Sequence, residues 1–146
     1  MPSNHSVTEV ACVVKFSRAE KRFLERNELG RLATISPNGM PHVVPVCYIY
    51  GAGNLLVATD YATKKYRNLL GNDRVAFVVD VYGPNRGILV QGRGKILEKG
   101  PQFREAYQLF YKRFGWVRAD PWREGEAPFI LIEPKKKTSW GLSPND

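Results

Sequence analysis

The sequence predicts a mainly β, α+β fold: an antiparallel β-barrel, closed or split, with flanking helices. Three observations predict it. Short apolar segments are separated by the turns "PNG" (Pro37 to Gly39) and "GAGN" (Gly51 to Asn54), the signature of strands that pair with their neighbours in the chain. The strand-like run "RGILVQGRGKIL" holds Gly92 and Gly94, which suggests a bulge or a tight barrel bend. The coarse order of helix, three strands, short helix, two strands, helix and strand does not alternate as a parallel α/β sheet would.

The elements follow in order. Ser17 and Glu20 have capping-box spacing, and "RAEKRFLERNEL" places Ala19, Phe23, Leu24 and Asn27 along one side. This predicts a helix from about Arg18 to Glu28, stopped near Gly30. "RLATIS" and "PHVVPVCYIY" flank the Pro-Asn-Gly turn as two strands, and "LLVAT" returns after Gly51 to Asn54 as a third. Pro45 falls in the middle of the second strand. Proline cannot donate to a sheet ladder, so that stretch belongs at an edge, at a bulge, or against something other than a strand. Asp60 or Thr63 can cap a short helix from Lys64 to Leu70, closed by Gly71. "RVAFVVDVY" and "RGILVQGRGKIL" are strands four and five. Phe103, Ala106, Tyr107, Phe110 and Phe114 share one face of a helix from Pro101 to Phe114, and such an aromatic stripe reads as core. "GWVRADPWREGEA" reads as irregular and "PFILIEPKKKTSW" as the last strand, with Lys135, Lys136 and Lys137 a solvated strand end or loop.

With 146 residues and 43% hydrophobic content the chain matches one globular domain able to bury a core without disulfides or metals, residues 1–15 forming an N-terminal extension. No segment approaches the roughly 20 apolar residues of a membrane span. The N-terminus does not read as a signal peptide, so a soluble, cytoplasmic protein is expected. Cys12 and Cys47 lie far apart and among Val and Ala, where a free cysteine behaves as a small hydrophobe. Two histidines and two separated cysteines show no metal-ligand spacing. The 22 Lys and Arg against 14 Asp and Glu give a net charge of +8. That balance favours an anionic partner: a cofactor, or nucleic acid.

The start of the short helix is the most informative stretch. Thr63, Lys64 and Lys65 occupy its first turn, where the helix dipole disfavours cations. Free backbone N–H groups at a helix N-terminus bind phosphate, and a hydroxyl and ammonium groups add charge-assisted hydrogen bonds. Alone, "TKK" reads rather as the decoration of an exposed helix, and only its context favours a phosphate.

Taken together, "LGRLATISPNGMPHVVPV", Thr59, the Thr-Lys-Lys helix start and "RNLLGNDRVAFVVD" resemble, in order, the flavin-binding split β-barrel superfamily that includes pyridoxamine phosphate oxidase. The similarity runs from about Arg18 to Leu97, with a weaker match through "TSWG". The resemblance implies an antiparallel split barrel of the FMN-binding type and a homodimer with cofactors at the subunit interface. It implies that the strand of Val44, Pro45, Val46 and Cys47 lies against the isoalloxazine ring. Thr59 would face the flavin, and Thr63, Lys64 and Lys65 would hold its phosphate. From the partner side it implies Arg86, the strand through Gln91, and Trp140.

The departures are as specific. His42 stands where the oxidase has a basic residue, Cys47 where it has lysine, and Gly87 where it has glutamine, while the chain ends "SWGLSPND" without the oxidase's substrate-binding tryptophan and arginine pattern. True pyridoxamine phosphate oxidase activity is therefore not expected. The sequence is similar instead to the short members of the superfamily, which use FMN or a deazaflavin coenzyme. His42 is a candidate catalytic residue, but no neighbouring carboxylate or serine pattern supports a triad. The expected function is a flavin-dependent oxidoreductase acting on a small molecule, its substrate pocket bordered by His42, the Tyr82 to Arg86 loop, Trp116 and Trp122. The rivals are the deazaflavin-dependent reductase, a non-catalytic flavin carrier or sensor, and a nucleic-acid-binding barrel. Since the aromatics follow core periodicity, nucleic acid is the least favoured partner.

Overall fold

A computed structural model describes residues 14–145. Most of the expected N-terminal extension, and with it Cys12, lies outside them. Six strands close into an antiparallel barrel in the order β1-β2-β3-β6-β5-β4: β1 Leu29–Ile35, β2 Pro41–Gly51, β3 Asn54–Ala58, β4 Arg74–Val81, β5 Arg86–Leu97 and β6 Phe129–Trp140. Around it lie α1 Arg18–Arg26, α2 Lys64–Gly71, α3 Gly100–Arg113 and the short α4 Gly115–Ala119. Among the described residues no helix is long and apolar enough to cross a membrane.

The barrel interior is filled by Leu32, Tyr48, Leu55, Val57, Phe77, Ile88 and their neighbours. A second cluster lies on the outer side of β3 and β6, where α3 and α4 bring Phe103, Phe110, Phe114 and Val117 onto Phe129. The aromatic stripe of α3 is core, as its spacing predicts, and each fully buried phenylalanine contributes roughly 1.5–3 kcal/mol.

Three expectations need correction. Helix α1 ends at Arg26, because the Asn27 side chain bonds the Phe23 carbonyl at 2.8 Å and Leu29 already pairs with Cys47 of β2. Gly30 is therefore a strand residue, and it is glycine for lack of room: a Cβ there would stand 2.2 Å from the Phe77 ring. The stretch after α3 is not wholly irregular, since α4 forms within it and buries Val117. Lys137 is not a solvated strand end. It pairs with the carboxylate of Glu20, which also takes hydrogen bonds from the Ser17 N–H (2.8 Å) and the Ser139 hydroxyl (2.7 Å). The capping-box glutamate thus also ties α1 to β6.

The Pro45 anomaly is resolved by the register. Residues 41–47 of β2 pair with β1, whereas pairing with β3 begins only at Tyr48. The Tyr48 N–H donates to the Glu28 carbonyl on the β1 side at 3.0 Å. With N–H groups alternating along an antiparallel strand, Val46 and Val44 also aim theirs at β1. Pro45 aims its missing N–H at the open edge, where no ladder bond is lost.

Candidate functional site

The open edge of β2 runs beside the point where the chain leaves β3. Ala58 ends that strand, and both it and Cys47 pack against the second apolar cluster. From there the chain turns through Thr59–Thr63 into α2. Asp60 shapes this turn: its side chain accepts from the Ala62 N–H at 3.2 Å, and its carbonyl accepts from the Thr63 N–H at 3.2 Å and the Thr63 hydroxyl at 2.7 Å. Thr63 is the N-cap of α2, accepting from the Tyr66 N–H at 3.4 Å, and its oxygen lies 3.0 Å from that of Thr59. The two threonines predicted to face one ligand are therefore in contact.

The first turn of α2 carries Lys64 and Lys65 and no acidic residue. Lys64 is exposed and Lys65 half-buried, and neither forms an ion pair among the described residues. Burial pushes the Lys65 ammonium below its ordinary range, and the charge of Asp60 offsets part of that. A cation that is half-desolvated, lacks an ion-pair partner, and sits at a positive helix end is electrostatically costly unless an anion joins it.

Helix α2 is fixed from below. Asn68, buried on its inner face, donates to the buried Thr34 hydroxyl of β1 at 3.0 Å. His42 occupies the ladder position opposite Thr34. Its Nδ1 is buried without a partner, and so is the hydroxyl of Ser36. Burial, with the Glu28 charge behind it, raises the Cys47 thiol pKa, so the thiol is protonated at neutral pH and is no thiolate nucleophile.

A cleft of about 510 Å³ joins this helix start to the α4 region. Thr59, Thr63 and Lys65 line one part; Trp116, Trp122 and Asp120 line another. The two indoles lie nearly parallel, 10° apart with centroids at 6.2 Å. Trp122 is held by two hydrogen bonds that it donates, from Nε1 to the Ala127 carbonyl (3.1 Å) and from its backbone N–H to the Tyr107 hydroxyl oxygen (3.2 Å); Trp116 is exposed. Trp116 and Trp122 thus share a cleft with Thr59, Thr63 and Lys65, while His42 and the Tyr82 to Arg86 loop, expected to border the same pocket, lie outside it.

The residues assigned to a partner subunit lie elsewhere. The Trp140 ring covers Gly87, where a Cβ would stand 2.3 Å from the indole, and its Nε1 bonds Asn85 at 3.2 Å. Arg86 lies 5.9 Å from the Phe23 ring of α1. Gln91 is exposed, five residues along β5 and so about 17 Å from Arg86. Sequence reasoning missed Asn68 and Thr34, which position α2, since nothing in the sequence links positions 34 residues apart. Asp60, offered by the sequence as an alternative cap to Thr63, instead shapes the turn before the helix, in keeping with the Asx-turn chemistry of "TDYAT".

This donor set fits a phosphate-bearing planar group: unpaired N–H donors, a hydroxyl and two ammonium groups at the helix start, beside an open strand edge offering backbone N–H and C=O. The sequence profile of the family described as pyridoxamine 5'-phosphate oxidase matches residues 16–141. The chain is 29% identical over 136 residues to a 5a,11a-dehydrotetracycline/5a,11a-dehydrooxytetracycline reductase of Streptomyces rimosus, covering 87% of this chain and 84% of that one. Among solved structures it resembles a FAD-binding protein of Mesorhizobium loti, with TM-score 0.68, 26% identity, and coverage of 85% and 94% of the two chains. It also resembles a heme storage protein of Vibrio cholerae, with TM-score 0.75, 14% identity and coverage of 88% and 96%. At that identity the last likeness shows the split-barrel fold alone.

Proposed function

The chain belongs to the pyridoxamine 5'-phosphate oxidase family, and from that premise we propose that it is a flavin-dependent oxidoreductase. It binds FMN, or in the alternative a phosphate-bearing deazaflavin coenzyme, and moves hydride between the ring and a small organic substrate. The FAD-binding neighbour and the reductase relative support this class of chemistry. The observation that carries it is the pair Lys64 and Lys65, without ion pairs at the start of α2, beside an open β2 edge that holds proline.

In this reading Thr63, Lys64, Lys65 and the first N–H groups of α2 hold the phosphate, and Thr59 faces the flavin. The edge from Val44 to Cys47 lies along the ring. When bound, the ring supplies the hydride chemistry, so the protein needs to position it, exclude water and tune its potential. His42 adds a polar atom near α2 rather than a catalytic triad. The substrate lies in the cleft with Trp116 and Trp122. The protein acts as a homodimer in which Arg86, the strand through Gln91, and Trp140 approach the partner's cofactor. Cys47 and Gly87, in place of the oxidase's lysine and glutamine, argue against true pyridoxamine phosphate oxidase activity.

Absorption and fluorescence spectra of the purified protein, repeated as each coenzyme is added to the stripped protein, test the reading. Tight binding of FMN or deazaflavin is expected. The variant Lys64→Ala/Lys65→Ala should lose roughly 100-fold in affinity, about 3 kcal/mol for two charge-assisted contacts, with its melting temperature retained. Unchanged affinity in that variant would overturn the phosphate assignment, and failure to bind either coenzyme would overturn the function.

A further inference from the structure

The cleft that joins the start of α2 to the α4 region changes sign across its lining. Thr63 and Lys65 face it from α2; Asp120 and Glu126 face it from the other side, beside Trp116 and Trp122. Among the described residues Lys65 is the only basic one in the lining, in a chain whose net charge is +8.

The two carboxylates are left uncompensated where partners abound. Neither Asp120 nor Glu126 forms an ion pair among the described residues. Glu124, in the same connection but outside the cleft, is taken up by Arg104 at 3.1 Å. Glu126 makes one bond within its own turn, accepting from the Arg123 N–H at 2.7 Å. Asp120 follows the last residue of α4, where the carbonyl end of a helix already carries partial negative charge. Asp60 lines the cleft too, but its side chain holds the Ala62 N–H and its charge offsets the desolvation of Lys65.

The indoles supply a surface beside these charges. At 6.2 Å between centroids and 10° from parallel, they leave no room for a ring between them, since two stacked contacts need about 7 Å. They act as one wall. Trp122 is locked by its bonds to Tyr107 and Ala127, and Trp116, stacked on it, is still 45% exposed. An indole face attracts cations more strongly than any other side-chain ring, and a carboxylate beside it adds a charge-assisted acceptor. Such a wall favours a flat molecule with a positive nitrogen and disfavours an anion of the same shape.

We propose that the substrate is a flat organic cation, carrying a protonated amine or a charged ring nitrogen, with its body on the Trp116–Trp122 wall and its charge facing Asp120 and Glu126. This rests on the flavin reading. Thr63 and Lys65 take the coenzyme's phosphate on one side of the cleft and the wall takes the substrate's cation on the other, so charge sorts the two ligands.

The test is a calorimetric titration of the coenzyme-loaded protein with N-methylquinolinium, a flat cation, and with naphthalenesulfonate, an anion of similar size, at low and moderate salt. The cation should bind saturably, weaken with salt because both carboxylates are exposed, and bind at least roughly tenfold more tightly than the anion. Asp120→Asn/Glu126→Gln keeps the shapes and removes both charges. It should weaken cation binding roughly tenfold, while coenzyme affinity, read separately from the coenzyme's absorption, does not fall. Trp116→Leu keeps apolar bulk without the ring face and should weaken the cation roughly threefold. Thermal melts confirm that each variant folds, and Asp120→Asn alone replaces the double variant if that one does not. No saturable cation binding, equal affinity for the two probes, full cation affinity in either variant, or loss of coenzyme from Asp120→Asn/Glu126→Gln overturns the proposal and leaves the flavin reading standing. A wild type that takes up neither coenzyme overturns the flavin reading, and the substrate assignment falls with it.

Discussion

Lys137 and Lys65 are both partly buried cations, and the protein treats them in opposite ways. Lys137 meets Glu20, a carboxylate only 6% exposed and bonded also by Ser17 and Ser139. Lys65 has no ion pair among the described residues, and Asp60 offsets only part of its desolvation. A charge matched within the chain holds the fold together; a charge left unmatched at a helix start is, in the proposed reading, kept for an anion outside the chain.

The largest effect should come from breaking the matched pair. Glu20→Gln leaves Lys137 without its counter-charge, and the expected loss is about 3 kcal/mol in urea denaturation, the lower end for a buried pair because Lys137 is partly exposed. A loss of a few tenths would place the pair among ordinary surface salt bridges and erase the contrast. The same pair has a pH signature. Burial pushes the Glu20 pKa up, but the hydrogen bonds from Lys137, Ser17 and Ser139 and the Lys137 charge outweigh it, so the net shift is downward from 4.5. A carboxylate depressed in the fold adds stability that is fully present above its unfolded value and is lost as pH falls through the folded one. Acid should therefore destabilise the wild type more than Glu20→Gln as pH falls below about 4.5.

A smaller effect should follow from loosening the platform under Lys65. Thr34→Val deprives the buried Asn68 amide of its 3.0 Å acceptor, at an expected cost of about 1–3 kcal/mol. If α2 is the phosphate helix, coenzyme affinity should fall too, though residue 34 carries no charge. Lower stability with unchanged affinity would separate the helix from the ligand.

Legibility in the sequence tracked the range of each interaction. The hairpins, the Ser17–Glu20 cap, the α3 core stripe and the Thr-Lys-Lys helix start are local patterns, and each was readable. Pro45 was readable as an anomaly, but its cause, the short β3 that leaves half of β2 unpaired, needed the register. Glu20 with Lys137 and Thr34 with Asn68 join positions far apart in the chain, so no spacing rule could find them. The bulge at Lys135, between the Gln91–Lys136 and Gly92–Pro134 pairs of β5 and β6, was hidden for the same reason. Gly92 announced an irregularity, but the extra residue lies on the partner strand, in a run that looked like a solvated end.

The smallest effect is the sharpest test of the contrast. Lys65→Met keeps much of the aliphatic stem and removes the charge, so the coenzyme-free protein should lose nothing and should gain up to about 0.5 kcal/mol. The sign with pH follows from the direction of the shift. Lys65 is depressed below 10.5 in the fold, so between the two values the unfolded chain binds more protons and stability rises with pH. Wild type minus Lys65→Met, measured without coenzyme from neutral pH up to about 10, should show a penalty at neutral pH that shrinks as the ammonium titrates. Bound phosphate should reverse it, because an anion beside Lys65 raises its pKa and makes the charged form the stabilising one. If the coenzyme-free difference already has the reversed sign, Lys65 is matched within the chain like Lys137, and its place at the start of α2 calls for no ligand.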